Sequence, residues 1–420
     1  MNRRDLLASA ALVPFTGPLR AATPLPPLPR GDEPEEAYWH ELRWQFHIPR
    51  DTVYCNTATL GASPKCVTNA VADHMRYVEE DLVRCDYLPE HPEYLAGYRS
   101  ERTLRDRAAR LLGCDGDELA LTRNATAGIS YVASGLDLKE GDEVVLTDQE
   151  HPGGRSAWDV KSKRCGVKLK EVKLPRPAND PDEIVRRYEQ VLTPRTRVLA
   201  IPHVTSALGT ILPVARLTQL GKAHGCFVAI DGAQAFGHIP VDVHALGCDA
   251  YSTSPHKWLL APKGTGLFYL RRDAAAQVWN SVASGQWSNT GDTGWRFGQV
   301  GTGNQSLLHG FDAALDFIER IGLQRIQQRI RQLGEHLRAG LQKIPGIEIH
   351  SSTHPELCAG VTTWGVKGAD NRPLANRLWE LSKVRVRAIG QEGLRQSVHV
   401  YCTLEDLDRS LLGTRKLAGA

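Results

Sequence analysis

Between residues 119 and 270, short and nearly continuous apolar runs alternate with stretches of helical spacing. Leu119-Ala120-Leu121-Thr122, Glu143-Val144-Val145-Leu146-Thr147 and Val198-Leu199-Ala200-Ile201-Pro202-His203 read as strands. So do Phe227-Val228-Ala229-Ile230-Asp231, Ala250-Tyr251-Ser252 and Gly266-Leu267-Phe268-Tyr269-Leu270. Residues 102–112, 127–135 and 217–224 carry apolar positions at helical intervals. A strand that is apolar throughout must be covered on both faces. The alternation therefore predicts an α/β domain built on a mostly parallel sheet.

From about residue 306 the pattern changes. One long helical stretch, 307–344, leads into strand-like segments at 347–350, 361–364 and 398–401 and a last helix at 404–412. This predicts a smaller α+β domain over 306–420 beside a large domain over 61–305. Ahead of both, 35–50 and 64–82 read as helices and 52–55 as a short strand, with 31–60 expected to pack on the small domain.

Several function classes are disfavoured. No apolar run reaches the ~18 residues a membrane span needs. The net charge is +3 and the Lys and Arg residues are scattered, whereas nucleic-acid binding calls for a clustered basic face. None of the nine cysteines forms a CxxC pair, which argues against a zinc site or a redox dithiol, and an odd number in a long chain implies no disulfide framework. No metal site is expected. Residues 1–30 stand apart. Asn2-Arg3-Arg4-Asp5-Leu6-Leu7 opens into an apolar run and then a Pro-rich stretch, as a twin-arginine export signal does. The best cleavage candidate is Arg20-Ala21-Ala22. A periplasmic address is the expectation, with a frayed basic terminus on a cytoplasmic protein as the alternative.

In open α/β sheets, ligands bind beyond the carboxyl ends of the strands. Asp231 ends one such strand. Alone it could serve a metal, a ribose or a pyridinium. It opens Asp231-Gly232-Ala233-Gln234-Ala235, and further on come Ser254-Pro255-His256-Lys257 and the turn Pro262-Lys263-Gly264-Thr265-Gly266. With these residues the chain resembles the class V aminotransferase family of fold-type I enzymes, which use pyridoxal 5′-phosphate (PLP). The group includes isopenicillin N epimerase-like proteins and cysteine desulfurases. The resemblance covers about residues 50–410 and is most specific over 231–266.

The resemblance implies a role for each of several residues. Lys257 matches the lysine that binds PLP as a Schiff base and then serves as acid and base; Lys263 is its nearest rival. Asp231 matches the carboxylate beside the pyridine nitrogen, and Gln234 the amide on the phenolic oxygen. Thr126, Ser254 and His256 match phosphate contacts, with Asn124 and Ala125 in the same strand-to-helix turn. His151 matches the residue stacked on the ring, and can also move protons. Arg395 matches the carboxylate-binding arginine, with Arg385 and Arg387 as competitors, and Asn56 lies in a segment expected to reach the substrate. His203, at another strand end, is an expected supporting residue. Thr302, in Gly301-Thr302-Gly303-Asn304, matches a threonine that reaches the phosphate of a partner subunit, which implies a homodimer with shared sites.

The chain departs from the desulfurases at one point. They carry a catalytic cysteine shortly before the carboxylate-binding arginine, and here Arg387-Ala388-Ile389-Gly390-Gln391-Glu392-Gly393 has none. The segment Tyr54-Cys55-Asn56-Thr57-Ala58-Thr59-Leu60-Gly61 and the region around Trp295-Arg296-Phe297 are closer to the epimerase-like branch. The expected activity is epimerisation or transamination of an amino acid or a metabolite containing one. A desulfurase or carbon–sulfur lyase, and a PLP-fold binding protein without catalysis, are the alternatives.

Overall fold

The computed structural model describes residues 24–29, 35–80, 82, 85–86, 93–94 and 98–419. The expected export signal, 1–22, lies outside the described residues. The chain enters through α1 (Glu35–Leu42), β1 (Val53–Tyr54) and α2 (Lys65–Glu80). The short β2 (Cys85–Asp86) and β3 (Glu93–Tyr94) pair only with each other. Then α3 (Tyr98–Leu112) leads into a run of alternating elements. These are β4 (Leu119–Thr122), α4 (Ala125–Gly135), β5 (Glu143–Thr147), α5 (Pro152–Cys165), β6 (Lys168–Val172), α6 (Pro181–Val191), β7 (Thr196–Pro202), α7 (Val214–Ala223), β8 (Phe227–Asp231), α8 (Val243–Leu246), β9 (Ala250–Thr253) and β10 (Gly266–Leu270).

The seven strands β4 to β10 form one sheet in the order β4-β10-β9-β8-β7-β5-β6. Only β10 runs against its neighbours. Every residue of β5, β9 and β10 is buried, as a sheet covered on both faces requires. The strand β6 and helices α5 and α6 extend the α/β pattern beyond the elements read above. From β5 the chain passes first to β6 on one side and then to β7 on the other. The order reverses at β5, and the crevice past the carboxyl ends opens there.

Beyond the sheet lie α9 (Gln305–Ile321), α10 (Leu323–Gln342), β11 (Ile347–Ile349), β12 (Val361–Val366), α11 (Leu374–Ser382), β13 (Val384–Arg385), β14 (Arg387–Ala388), β15 (Leu394–Ser397) and α12 (Leu404–Ala418). The expected helix over 307–344 is two helices. Gly322, at φ +94°, separates them in a conformation that L side chains rarely adopt. The expected strand at 398–401 is not one; the strand is β15. Val398, Val400 and Tyr401 are buried, but they follow the strand into a turn in which the Cys402 N–H donates to the His399 carbonyl at 2.8 Å. Their side chains join the main core, where the Tyr401 ring packs edge-on to Phe46 at 5.1 Å between ring centres.

The strands β11, β12, β15 and β14 make an antiparallel sheet in that order. Residues 53–61 connect this sheet to the large one. β1 pairs in parallel with β13, the Ser397 N–H donates to the Cys55 carbonyl at 2.9 Å, and the Gly61 N–H donates to the His256 carbonyl at 3.0 Å. No side chain fits at 61, because a Cβ there would lie 1.9 Å from the Lys257 carbonyl oxygen.

Candidate active site

Lys257 sits in the turn after β9, where its N–H donates to the Ser254 carbonyl at 3.0 Å. Its amine faces a cavity of about 510 Å³ at the carboxyl ends of the strands. Burial pulls the ammonium down to about 8; the Arg395 guanidinium acts in the same direction and Asp231 opposes it. A substantial share of Nζ is therefore uncharged and nucleophilic near neutral pH. The rival Lys263 is committed elsewhere, donating to the Gly61 carbonyl at 2.6 Å and to Ser63 Oγ at 3.0 Å.

Asp231, at the end of β8, shares a second small cavity with His151, Gln234 and Lys257. One of its oxygens accepts the Ala233 N–H at 2.9 Å. The other points at Gly154, 3.1 Å from where a Cβ would stand, and Glu150 Oε2 lies 3.3 Å from the same point. Glycine at 154 thus lets two carboxyl groups converge. Burial first, and Asp231 second, push Glu150 up to about 8, so it keeps its proton at neutral pH. Gln234 has a fixed orientation. Its Nε2 donates to the Ala58 carbonyl at 2.8 Å, and its Oε1 accepts from Trp258 Nε1 at 2.9 Å. One amide N–H remains free to face the cavity.

An anion cradle forms where β4 turns into α4. Asn124 caps the helix by accepting the Ala127 N–H at 3.0 Å, and it also lines the cavity. The Ala125 N–H donates to Ser254 Oγ at 3.0 Å. Thr126, Ser254 and His256 line the same wall. Close backbone approach is needed here, since a Cβ on Gly266 would stand 2.4 Å from the Asn124 nitrogen. His256 donates from Nδ1 to the Thr265 carbonyl at 2.9 Å. Burial lowers its pKa, that carbonyl opposes the shift, and Lys257 and Lys263 add to it.

His151 caps α5. Its Nδ1 accepts the Gly153 N–H at 3.0 Å, so the neutral ring carries its proton on Nε2. Burial, reinforced by Lys257, holds its pKa below the usual value. His203 stands behind the site, buried and bonded through Nδ1 to the Tyr251 hydroxyl at 2.9 Å.

Arg395 lies on β15, not before a strand as expected. It is buried, donating to the Ser206 carbonyl at 2.5 Å and to Thr59 Oγ1 at 2.7 Å. Its Nε is buried without a partner. Of its competitors, Arg387 lines the cavity, while Arg385 stacks over the Trp379 ring at 4.4 Å. Asn56 is not part of the lining. It accepts from Thr59 Oγ1 at 2.7 Å, so it bears on Arg395 through Thr59. Thr302 is exposed on the turn before α9 and does not line this chain's cavity. Sequence reading missed Glu150, Thr59, Trp258 and Ser206. Glu150 had one usable signal, its place beside His151 at a strand end.

These residues fit PLP. The cradle at α4 offers hydroxyls and N–H groups to a phosphate. Asp231, the free Gln234 N–H and the partly neutral Lys257 converge where the ring would lie. Among the described residues, no group of three or more His, Cys, Asp or Glu could hold a metal ion, and no helix is long and apolar enough to cross a membrane.

Comparison with known proteins agrees. The class V aminotransferase family matches residues 93–410. The isopenicillin N epimerase of Amycolatopsis lactamdurans is 29% identical over 90% of this chain and 98% of its own length. A probable cysteine desulfurase of Methanothermobacter thermautotrophicus is 28% identical over 89% of this chain and 96% of its own. Among solved structures, the cystine C–S lyase C-DES, in complex with its product cysteine persulfide, superimposes with a TM-score of 0.75 at 26% identity, covering 88% of this chain and 98% of that one. This chain belongs to the class V aminotransferase family.

Proposed function

We propose that this protein moves protons at the amine-bearing carbon of an amino acid or a metabolite containing one, as an epimerase or transaminase. Its cofactor is PLP, as its family membership implies. One observation carries the reading: Lys257, His151, Asp231 and Gln234 line adjoining cavities, and no cysteine lines either among the described residues. Among the described residues, no thiol stands at the cavity to carry a protein persulfide.

When bound, the cofactor would supply an electron sink for the bond broken at the substrate's α-carbon. Lys257, with its ammonium held near 8, takes the α-proton on Nζ, since a base works best when its pKa is close to the working pH. His151 lines the same cavity and, once it has taken a proton from solvent to become the imidazolium, supplies the one returned to the opposite face. Arg395 holds the substrate carboxylate in its fork, and Thr59 and Ser206 fix that fork in place. Asp231 would keep the cofactor's ring nitrogen protonated, and the turn at Asn124–Thr126 with Ser254 and His256 would hold its phosphate. Thr302 is proposed to serve the site of a second copy, a dimer that sedimentation would reveal.

A second reading has one observation behind it. The similarity to a cystine C–S lyase spans nearly the whole of that enzyme. Carbon–sulfur cleavage can begin with the same proton removal and needs no protein thiol. Titrating the purified holoenzyme with a panel of amino acids in deuterated water separates these outcomes. Conversion of the cofactor to its amine form supports transamination, and deuterium at the α-carbon without it supports epimerisation. Sulfide or persulfide release from cysteine or cystine, without either, overturns the first reading.

A further inference from the structure

We infer that the substrate carries a second anionic group, a carboxylate or similar small oxyanion, and that Arg387 receives it. This rests on the amino-acid reading above and deepens it. In the small sheet, β14 runs antiparallel to β15 with Arg387 directly opposite Arg395. Residues so opposed share a face, with Cβ atoms about 5 Å apart, and like charges there repel. Both side chains line the cavity that holds Lys257. Burial, with Arg387 adding to it, holds the Arg395 pKa below its usual value.

Among the described residues, neither guanidinium is paired with a carboxylate. Arg395 is bonded to a carbonyl and two hydroxyls, and its Nε is buried and unpaired. The Arg387 side chain makes no hydrogen bond or ion pair among the described residues. Two acids on the same cavity wall are already engaged: Asp148 and Glu392 both pair with Arg176. Glu150 keeps its proton. Two like charges held together without counter-charge are costly, and an anionic ligand relieves the cost. A substrate with one carboxylate satisfies Arg395 and leaves Arg387 bare. A substrate with a second acid satisfies both.

The test is calorimetric binding of glutarate and of butyrate to the holoenzyme, beside spectral titration with L-glutamate and L-glutamine. Glutarate is expected to bind about tenfold more tightly than butyrate, a difference of about 1.4 kcal/mol. Arg387→Gln is expected to bring that ratio close to one while changing butyrate affinity less than about threefold, and Arg387→Lys to keep part of the preference. Arg387 is exposed, so neither change threatens folding. Equal binding of the two acids, binding of neither, or an equal weakening of both by Arg387→Gln overturns the inference; the last result would mean that both arginines grip one carboxylate. Glutarate has no amine, so its preference is independent of the reaction. Silence of the spectrum toward every amino acid, beside an intact glutarate preference, would fault the amino-acid reading and leave the Arg387 site standing.

Discussion

Trp258 Nε1 donates to Gln234 Oε1 at 2.9 Å, and this bond decides which way the Gln234 amide points. With Oε1 held by the indole, Nε2 faces the Ala58 carbonyl and keeps one N–H for the cavity. The indole is itself held, stacked on His238 at 3.7 Å between ring centres. A residue beside Lys257 thus orients another that lies far away in sequence.

Trp258→Phe keeps an aromatic ring but loses the donor. The Gln234 amide is then free to turn over. The expected result is weaker cofactor binding, by about fivefold for the loss of one hydrogen bond worth about 1 kcal/mol. The pH at which the visible band of the lysine-bound cofactor changes is expected to move as well. A lower melting temperature with binding and titration unchanged would refute the orienting role.

Lys257 and Lys263 make a sharp contrast. Lys257→Ala is expected to abolish the visible cofactor band and turnover together, whereas Lys263→Ala, whose amine is tied to Gly61 and Ser63, keeps the band. The amine captures the cofactor only when uncharged. Since the ammonium of Lys257 titrates at about 8, the rate at which the apoenzyme takes up cofactor is expected to rise with pH and level off above that value. A rate that rises no faster below pH 8 than above it would contradict the assignment.

Glu150 gives a stability prediction. Its carboxyl titrates at about 8 in the folded chain, against an ordinary value of 4.5. Between these values the folded state binds the extra proton. The contribution to stability is complete below the ordinary value and is lost as pH rises through the folded one. Apoenzyme is therefore expected to lose stability from about pH 5 to pH 9, on the order of 4 kcal/mol more than its Glu150→Gln variant. Chemical denaturation at both pH values measures it, and parallel pH slopes for the two proteins would count against a protonated Glu150.

Much of the large domain was legible because its central strands are apolar throughout and end in polar, chemically distinctive residues such as Asp231. The edge strand Lys168-Leu169-Lys170-Glu171-Val172 escaped notice because it carries charge along its length. Helix α5 was hidden by Gly153 and Gly154, which look like a loop until their packing against Thr126, Asp231 and Glu150 is seen. In the site, residues that follow a strand end could be found from order alone. Arg395 could be preferred to Arg387 only through the family resemblance, because the two stand opposite each other and both line the cavity; what separates them is that only Arg395 is buried on Ser206 and Thr59. Contacts across the chain, such as Trp258 on Gln234 or Arg395 on Thr59, leave no local pattern.

Thr59 offers the last test, since it acts on substrate through another residue. Its hydroxyl accepts from Arg395 Nη2 at 2.7 Å and donates to Asn56 Oδ1 at 2.7 Å, so Asn56 aims the hydroxyl and the hydroxyl aims the guanidinium. Thr59→Val keeps the shape and removes both bonds. A fork left free on that side grips the carboxylate less well, in the ground state and the transition state alike. The expected signature is a KM raised about five- to tenfold, from the loss of roughly 1 kcal/mol, with kcat nearly unchanged. Asn56→Ala should give the same signature more weakly, and the double variant should be little worse than Thr59→Val, because the two act in series. Additive effects, or a fall in kcat with KM unchanged, would show that Asn56 and Thr59 do not work through Arg395.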